Sequence, residues 1–252
     1  MATSRTRRVA VVTGASSGIG AATAKALARN GFRVVGGARR VERMRKALGE
    51  GGVALELDVT RRESVDAFVE ELGRRFRHID VLVNNAGGAL GLTPVDQSND
   101  DDWIRMWETN VLGLMYMTRG CLPLLRRARH GHIVNLGSIA GFETYKGGAG
   151  YTAVKHAVRA ISRTLRLELN GEPIRVTEIA PGLVETDFSM VRFHGDRQAA
   201  KAVYAGLKPL TADDIADCIL FAVTRPPHVD IDEMVIRPVA QATSYQVARK
   251  TT

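Results

Sequence analysis

The stretch RVAVVTGASSGIGAATAKALARNG, residues 8–31, decides how the rest of the chain is read. Its opening, RVAVVTG, is a short β-branched run ending in glycine, the pattern of a buried strand with a turn at its carboxyl end. Its close, GIGAATAKALARNG, keeps apolar positions at helical spacing and stops on Gly31. Between the two, Gly14, Gly18 and Gly20 permit a tight turn and close backbone approach. A helix that starts there aims its free N–H groups and positive dipole end at an anion beyond the strand. The letters depart from the common GxGxxG spacing, so the placement between strand and helix carries the reading.

Outward from this unit the alternation continues. FRVVGGA (32–38), VALELDV (53–59), IDVLVNNAG (79–87), HIVNLGS (132–138), IRVTEIAPG (174–182) and DEMVIRPV (232–239) read as six further strands. VERMRKAL (41–48) and RRESVDAFVEELGRRF (61–76) are helical, and WIRMWETNVLGLMYMTRGCLPLL (103–125) reads as one long helix capped from Ser98, Asn99 or a neighbouring Asp. Another helix runs from Tyr151 to Leu169, and one capped by Thr211 is stopped by Pro226-Pro227. Near-continuous apolar strands alternating with helices predict an α/β fold: a single doubly wound Rossmann-type domain, residues 1–252, with a seven-stranded mostly parallel sheet. Residues 183–210 break the alternation after the sixth strand, where a doubly wound fold places a substrate-binding loop.

The chain has 252 residues, 45% hydrophobic and 25% charged, the balance of an ordinary globular domain. Its net charge is +8, yet the arginines are scattered in short doublets with no basic tail, so a nucleic-acid partner is not expected. Cys121 and Cys218 lie in apolar helical contexts and read as buried free thiols; neither a metal site nor a disulfide framework is expected. No signal peptide or bilayer-spanning run is legible, which points to a cytoplasmic protein without a membrane partner.

The chemistry begins with GYTAVKHAV, residues 150–158. Tyr151 and Lys155 share one helix face a turn apart, either as an aromatic with a lysine lying over it or as a phenol beside a cation that tunes it. Ser138 ends the fifth strand, so it falls at the same sheet edge. About twenty residues past the glycine turn the chain reads GGARR, with Arg39 and Arg40 where an NAD-binding domain would carry an acid. Arginines there favour a 2′-phosphate and hence NADP(H). Asp58 either accepts from an adenine amino group or caps the next helix.

Taken in order, TGASSGIG, NNAG, Asn110, Ser138, YTAVK and the PG at 181–182 followed by Thr186 resemble the short-chain dehydrogenase/reductases. GHIVNLGSIAG, RVTEIAPGLVETDFS, VRFHGD and IRPVAQ look like the branch of NADP-dependent 3-hydroxy acid (serine-type) dehydrogenases. The resemblance implies an NADP(H)-dependent oxidoreductase that interconverts a secondary alcohol and a ketone, on a small 3-hydroxy acid such as serine or 3-hydroxyisobutyrate. Reduction of an uncharged secondary-metabolite ketone, or NADP(H) sensing without turnover, stay open beside it. An acyl-carrier-protein reductase is disfavoured, because the last strand leads into IRPVAQATSYQ without a Gly-Gly segment.

On matching positions the resemblance implies a catalytic set of Asn110, Ser138, Tyr151 and Lys155. Tyr151 is the acid/base, with Lys155 and an oxidised nicotinamide lowering its pKa. Ser138 donates to the substrate oxygen, and Asn110 holds a water that links Lys155 to solvent. The implied cofactor residues are Gly14, Ser16, Ser17, Gly18, Ile19 and Gly20 in the loop, then Arg39, Arg40, Asp58, Val59, Asn84, Ala86 and Gly87. Tyr151, Lys155, Pro181, Gly182, Val184 and Thr186 complete them. Substrate contacts are expected from Ser138, Tyr145, Tyr151 and Arg192. Arg192 reads either as the reader of a substrate carboxylate or as the partner of Asp187 or Asp196; Lys146, Met190 and His194 lie nearby. The resemblance also implies a homotetramer, or a homodimer, built on the helices starting near Trp103 and Tyr151.

Overall fold

Val9 to Val12 cannot be solvated on either side without exposing a continuous apolar ribbon, and the computed structural model buries all of it in the middle of a sheet. The structure describes residues 7–250; the first six residues of the basic N-terminus and the last two lie outside them. Strands β1 (Val9–Thr13), β2 (Arg33–Ala38), β3 (Val53–Glu56), β4 (Val81–Asn84), β5 (Gly131–Leu136), β6 (Ile174–Pro181) and β7 (Glu233–Ile236) form one sheet. Its order is β3-β2-β1-β4-β5-β6-β7. Every neighbouring pair runs parallel, so the sheet is wholly rather than mostly parallel. The order reverses between β1 and β4, the switch point at whose carboxyl edge such folds place a ligand.

Two cores follow from strand alternation. Val9, Val11, Leu82 and Ile133 face one side, under α3 (Arg62–Arg75), α5 (Gly113–Arg126) and α6 (Ala149–Glu168). Ala10, Val12, Val83 and Val134 face the other, under α1 (Gly18–Arg29), α2 (Val41–Leu48) and α9 (Ala212–Val223). Thr211 caps α9 in a reciprocal box with Asp214. Among the described residues no helix is long and apolar enough to cross a membrane.

The long helix expected over 103–125 is interrupted. It starts as α4 (Asp100–Trp107), with Asn99 accepting from the amides of Asp101 and Asp102. One π-helical turn, Glu108–Leu112, then precedes α5. The apolar period continues through that turn, which is why the sequence reads as unbroken; π turns of this kind tend to mark functional places. The expected loop at 183–210 carries two short helices, α7 (Phe188–Arg192) and α8 (Arg197–Ala202). A bridge between Val184 and Leu210 closes its base. Cys121 is buried as expected, whereas Cys218 on α9 is only half-buried.

Candidate active site

The glycine turn does what its residues allow. Gly14 and Gly18 have φ of 68° and 53°, in the region that favours glycine. Ser17 precedes α1 without its side chain capping the helix, so the first N–H groups stay open to an anion. A Cβ on Gly14 would meet Asn85 Nδ2 at 2.8 Å, and one on Gly20 would run into the same amide. Asn85 is the residue sequence reasoning missed: its Nδ2 donates to the carbonyl of Thr13 at 2.8 Å, pinning the turn to the end of β4. The second Asn of NNAG was the available signal. Thr13 Oγ1 accepts from the amides of Asn85 and Ala86 at 3.0 and 2.9 Å, completing the junction.

Arg40 reaches across this turn and donates to Ser17 Oγ at 3.0 Å and Ser16 Oγ at 3.4 Å. Arg39 acts on Asp58 instead. Partial burial works against ionisation of Asp58, but hydrogen bonds from Thr60 outweigh it, and Arg39 adds to them, holding the carboxyl below its ordinary value. Asp58 is therefore an ionised acceptor whose bonds go to Thr60 Oγ1 and N at 2.7 and 3.1 Å; it is not the cap of α3, which follows Arg61. Val59 is buried against Gly113. Ile19 packs on the core under α1. Asn84 turns its side chain into the sheet face, donating to Thr118 Oγ1 and Asn135 Oδ1, both at 2.9 Å, and only its backbone is left at the end of β4.

The two halves of the site meet at Gly87. A Cβ there would meet Asn110 Oδ1 at 2.6 Å and Lys155 Nζ at 3.7 Å, so the missing side chain leaves the lysine open to the groove. Asn110 sits in the π turn and clamps the neighbouring backbone. Its Nδ2 donates to the carbonyls of Gly88 at 2.9 Å and Met106 at 2.8 Å, while its Oδ1 accepts from Gly88 N at 3.2 Å. The side chain is thus tied to the neighbouring backbone.

Lys155 is buried and donates to the Leu136 carbonyl at 2.8 Å. Burial pushes its pKa down to about 8, against an upward pull from Glu178. Ser138 follows β5 and accepts from Ala140 N at 3.1 Å, with its hydroxyl 3.4 Å from the Pro181 carbonyl. Tyr151 lies in the first turn of α6, which starts two residues earlier than expected. Burial raises the phenol well above its ordinary value, Tyr145 adds to the rise, and a hydrogen bond with Ser138 and the charge of Arg192 oppose it. Arg192 and Lys155 both lie near the ring, and the Lys155 ammonium also donates to the Leu136 carbonyl. Such surroundings favour the neutral phenol in the chain by itself.

The lid brings Arg192 in. Its Nε donates to the Gly91 carbonyl at 3.1 Å and its guanidinium to Tyr145 Oη at 3.1 Å. Gly91 N returns a bond to the Arg192 carbonyl at 2.9 Å. The guanidinium carbon lies 5.8 Å from the Tyr151 ring centre, the same separation as Lys155 Nζ. Neither expected carboxylate partner engages it, since Asp187 pairs with Arg43 at 2.9 Å and Asp196 caps α8. His194, at φ 51°, contacts Asp102 at 3.1 Å. Phe188 meets Tyr151 edge-on at 5.6 Å. Thr186 lies 3.5 Å from where a Cβ of Gly18 would sit, Gly182 N donates to Ile236 O at 2.7 Å, and Tyr204 holds the Val184 carbonyl at 2.9 Å. The lid is thus fixed at its root. Free space beside Tyr151 is about 20 Å³, room for a water. An open groove of about 320 Å³ runs between Gly18, Lys25, Arg43 and Thr186.

A turn of open amides and two arginines at the next strand end lie at the same sheet edge as a phenol near two cations. The comparisons agree. A family model described as short chain dehydrogenase matches residues 8–197. An uncharacterized oxidoreductase of Mycobacterium tuberculosis is 56% identical over 96% of this chain and 95% of its own. An NADP-dependent 3-hydroxy acid dehydrogenase of Schizosaccharomyces pombe is 45% identical over 95% of this chain and 96% of its own. A solved closed form of serine dehydrogenase complexed with NADP+ superposes with a TM-score of 0.90 at 38% identity, covering 96% of this chain and all of that one. The chain belongs to the short-chain dehydrogenase family and is an oxidoreductase of it.

Proposed function

We propose that this oxidoreductase works with NADP(H) and interconverts the hydroxyl of a small 3-hydroxy acid with the matching carbonyl. For serine or 3-hydroxyisobutyrate that hydroxyl is primary and the carbonyl an aldehyde. The cofactor assignment is supported by Arg40 over Ser16 and Ser17, by Arg39 beside Asp58, and by the NADP-dependent relatives. Gly14, Gly18, Ile19 and Gly20 would receive the pyrophosphate, with Ala86, Gly87, Pro181 to Val184 and Thr186 along the nicotinamide side. NADP(H), when bound, supplies or accepts the hydride. Tyr151 gives its proton to the carbonyl oxygen in reduction and takes one from the alcohol in oxidation. Ser138 donates to that oxygen as charge develops. Lys155 holds a positive charge next to the phenol, and Asn110 keeps the 87–88 backbone clear of it.

The observation that carries the substrate class is Arg192: a cation beside Tyr151 that has no carboxylate partner among the described residues and is locked by Gly91 and Tyr145. A carboxylate reaching it would replace an open charge with charge-assisted bonds. The expected outcome is that Arg192→Leu raises KM for 3-hydroxy acids by about 10- to 100-fold, the loss of one or two such bonds, with kcat changing little. Uncharged secondary alcohols should be affected less than about threefold. Nicotinamide absorbance with serine, 3-hydroxyisobutyrate, 3-hydroxypropionate and an uncharged alcohol measures both. Equal effects would remove the carboxylate reading, and turnover of uncharged carbonyls alone would redirect it to ketone reduction.

A cytoplasmic homotetramer, or a homodimer, is part of this reading. It is supported by apolar side chains left on the surface of α4 to α6, Ile104, Trp107, Met115 and Leu167. Sedimentation of the purified chain decides its size.

A further inference from the structure

At one register, four neighbouring strands each place a polar side chain on the face covered by α5 and α6. Asn84 of β4 pairs with Asn135 of β5, Asn135 with Glu178 of β6, and Glu178 with Glu233 of β7. Asn135 and Glu233 are satisfied, and Asn84 makes both of its donor bonds. Asn84 and Asn135 bond each other, and Asn135 donates to Ser162 Oγ at 2.9 Å. Glu233 holds Arg159 at 3.0 Å and Arg163 at 2.9 Å. Glu178 is 0% exposed, and neither of its oxygens has a hydrogen-bond partner, whereas Asn84 lacks one only at Oδ1. It lies against Gly137, where any Cβ would run into its carboxyl group. The residue before that glycine, Leu136, supplies the carbonyl that holds Lys155 Nζ. A buried carboxyl with unmet oxygens costs stability, so its presence behind the lysine needs a reason.

We infer that Glu178 is a positioning residue of the active site: from its buried place in the polar row behind Lys155, its carboxylate keeps the Lys155 ammonium charged into alkaline pH. The charges acting on Glu178 come from Lys155, Arg159 and Arg163 on α6 and from Glu233 on β7; α5 contributes the uncharged Thr118 to the row. Burial raises the carboxyl to about 7, opposed by Arg159, Lys155 and Arg163 and reinforced by Glu233. Lys155 stands at about 8, lowered by burial against an upward pull from Glu178. The two groups therefore titrate in neighbouring windows, each favouring the charged form of the other. As pH rises, Glu178 ionises first and holds the proton on Lys155 where a lysine in a dry pocket would lose it. The inference rests on the reading of Lys155 as the cation beside Tyr151.

Glu178→Gln keeps shape and removes the charge, and two measurements test it. The first is Tm against pH in the cofactor-free chain. The folded state keeps the Glu178 proton up to about pH 7 while the unfolded state loses it near the ordinary carboxylate value. Wild-type stability therefore falls across that window, and Glu178→Gln escapes the fall. The variant should gain roughly 5 °C on the wild type between about pH 5 and pH 8. In a Lys155→Met background the gain should be larger, because the ionised carboxyl has lost its cation. An equal gain in both backgrounds, or none, overturns the coupling even if the wild type turns over no carbonyl, an outcome that would separately sink the reading of the site.

The second is kcat against pH for a hydroxy acid of the panel above. Glu178→Gln should match the wild type below about pH 6, where both side chains are neutral. Its alkaline limb should move down by about one unit, leaving roughly tenfold less activity near pH 9. Superimposable profiles, or a uniform loss at every pH, would overturn the inference.

Discussion

Tyr151→Phe lowers kcat/KM for carbonyl reduction by about 10²- to 10⁴-fold, the range lost when a positioned general acid is removed. The variant should still fold and bind the cofactor, because the atom removed is not what holds the ring. The ring meets Phe188 edge-on at 5.6 Å, and its face lies 5.8 Å from both Lys155 Nζ and the Arg192 guanidinium; all three contacts survive in phenylalanine. The burial that raises the phenol far above its ordinary value makes it a firm proton holder at neutral pH, which suits reduction. Oxidation needs the phenolate, so wild-type oxidation should rise with pH until the alkaline limb set by Lys155, while reduction does not. Nicotinamide absorbance measures turnover, and quenching of protein fluorescence by NADPH measures binding. A variant that binds normally and keeps more than about a tenth of the activity would show that another group moves the proton.

The parts of this molecule that were legible from sequence are those determined locally. Continuous runs such as VAVVT, VLVN and HIVNL leave no solvated face, so a parallel sheet covered on both sides follows from them. The residues at strand ends then fall at one edge, which is how Ser138, Tyr151, Lys155 and the glycine turn come together. Features set by register or by distant partners were not legible. The row of Asn84, Asn135, Glu178 and Glu233 exists only once four strands align, although a glutamate inside VTEIAP was a visible oddity. The partners of Arg192 lie 47 and 101 residues away in the chain, and no local pattern announces them. The π turn around Asn110 conserves the apolar stripe and so leaves no mark in the sequence.

Cofactor choice is the second large effect, and the two arginines divide it unequally. Arg40 already bridges to Ser16 and Ser17 across the phosphate turn, so its guanidinium is held over the place where a ribose 2′-phosphate would come. Arg39 acts on Asp58 through its charge and offers charge more than geometry. Each charge-assisted bond to a phosphate contributes about 1.5–3 kcal/mol, so losing a fork of two costs about 10²- to 10⁴-fold. Arg40→Asp also introduces a carboxylate that repels a phosphate and accepts from a free ribose diol. The expected result is a fall in kcat/KM with NADP by at least about 10²-fold, with NAD gaining, so that the preference inverts. Arg39→Asp should shift the ratio in the same direction by less. Both side chains are exposed, so the wild-type preference for NADP should itself shrink as salt is raised, and the Arg40→Asp ratio should depend on salt much less. Steady-state rates with both cofactors at two ionic strengths measure all of this. A double Arg39→Asp, Arg40→Asp variant that still prefers NADP would place phosphate recognition elsewhere on the groove, with Lys25 and Arg43 the next cations along it.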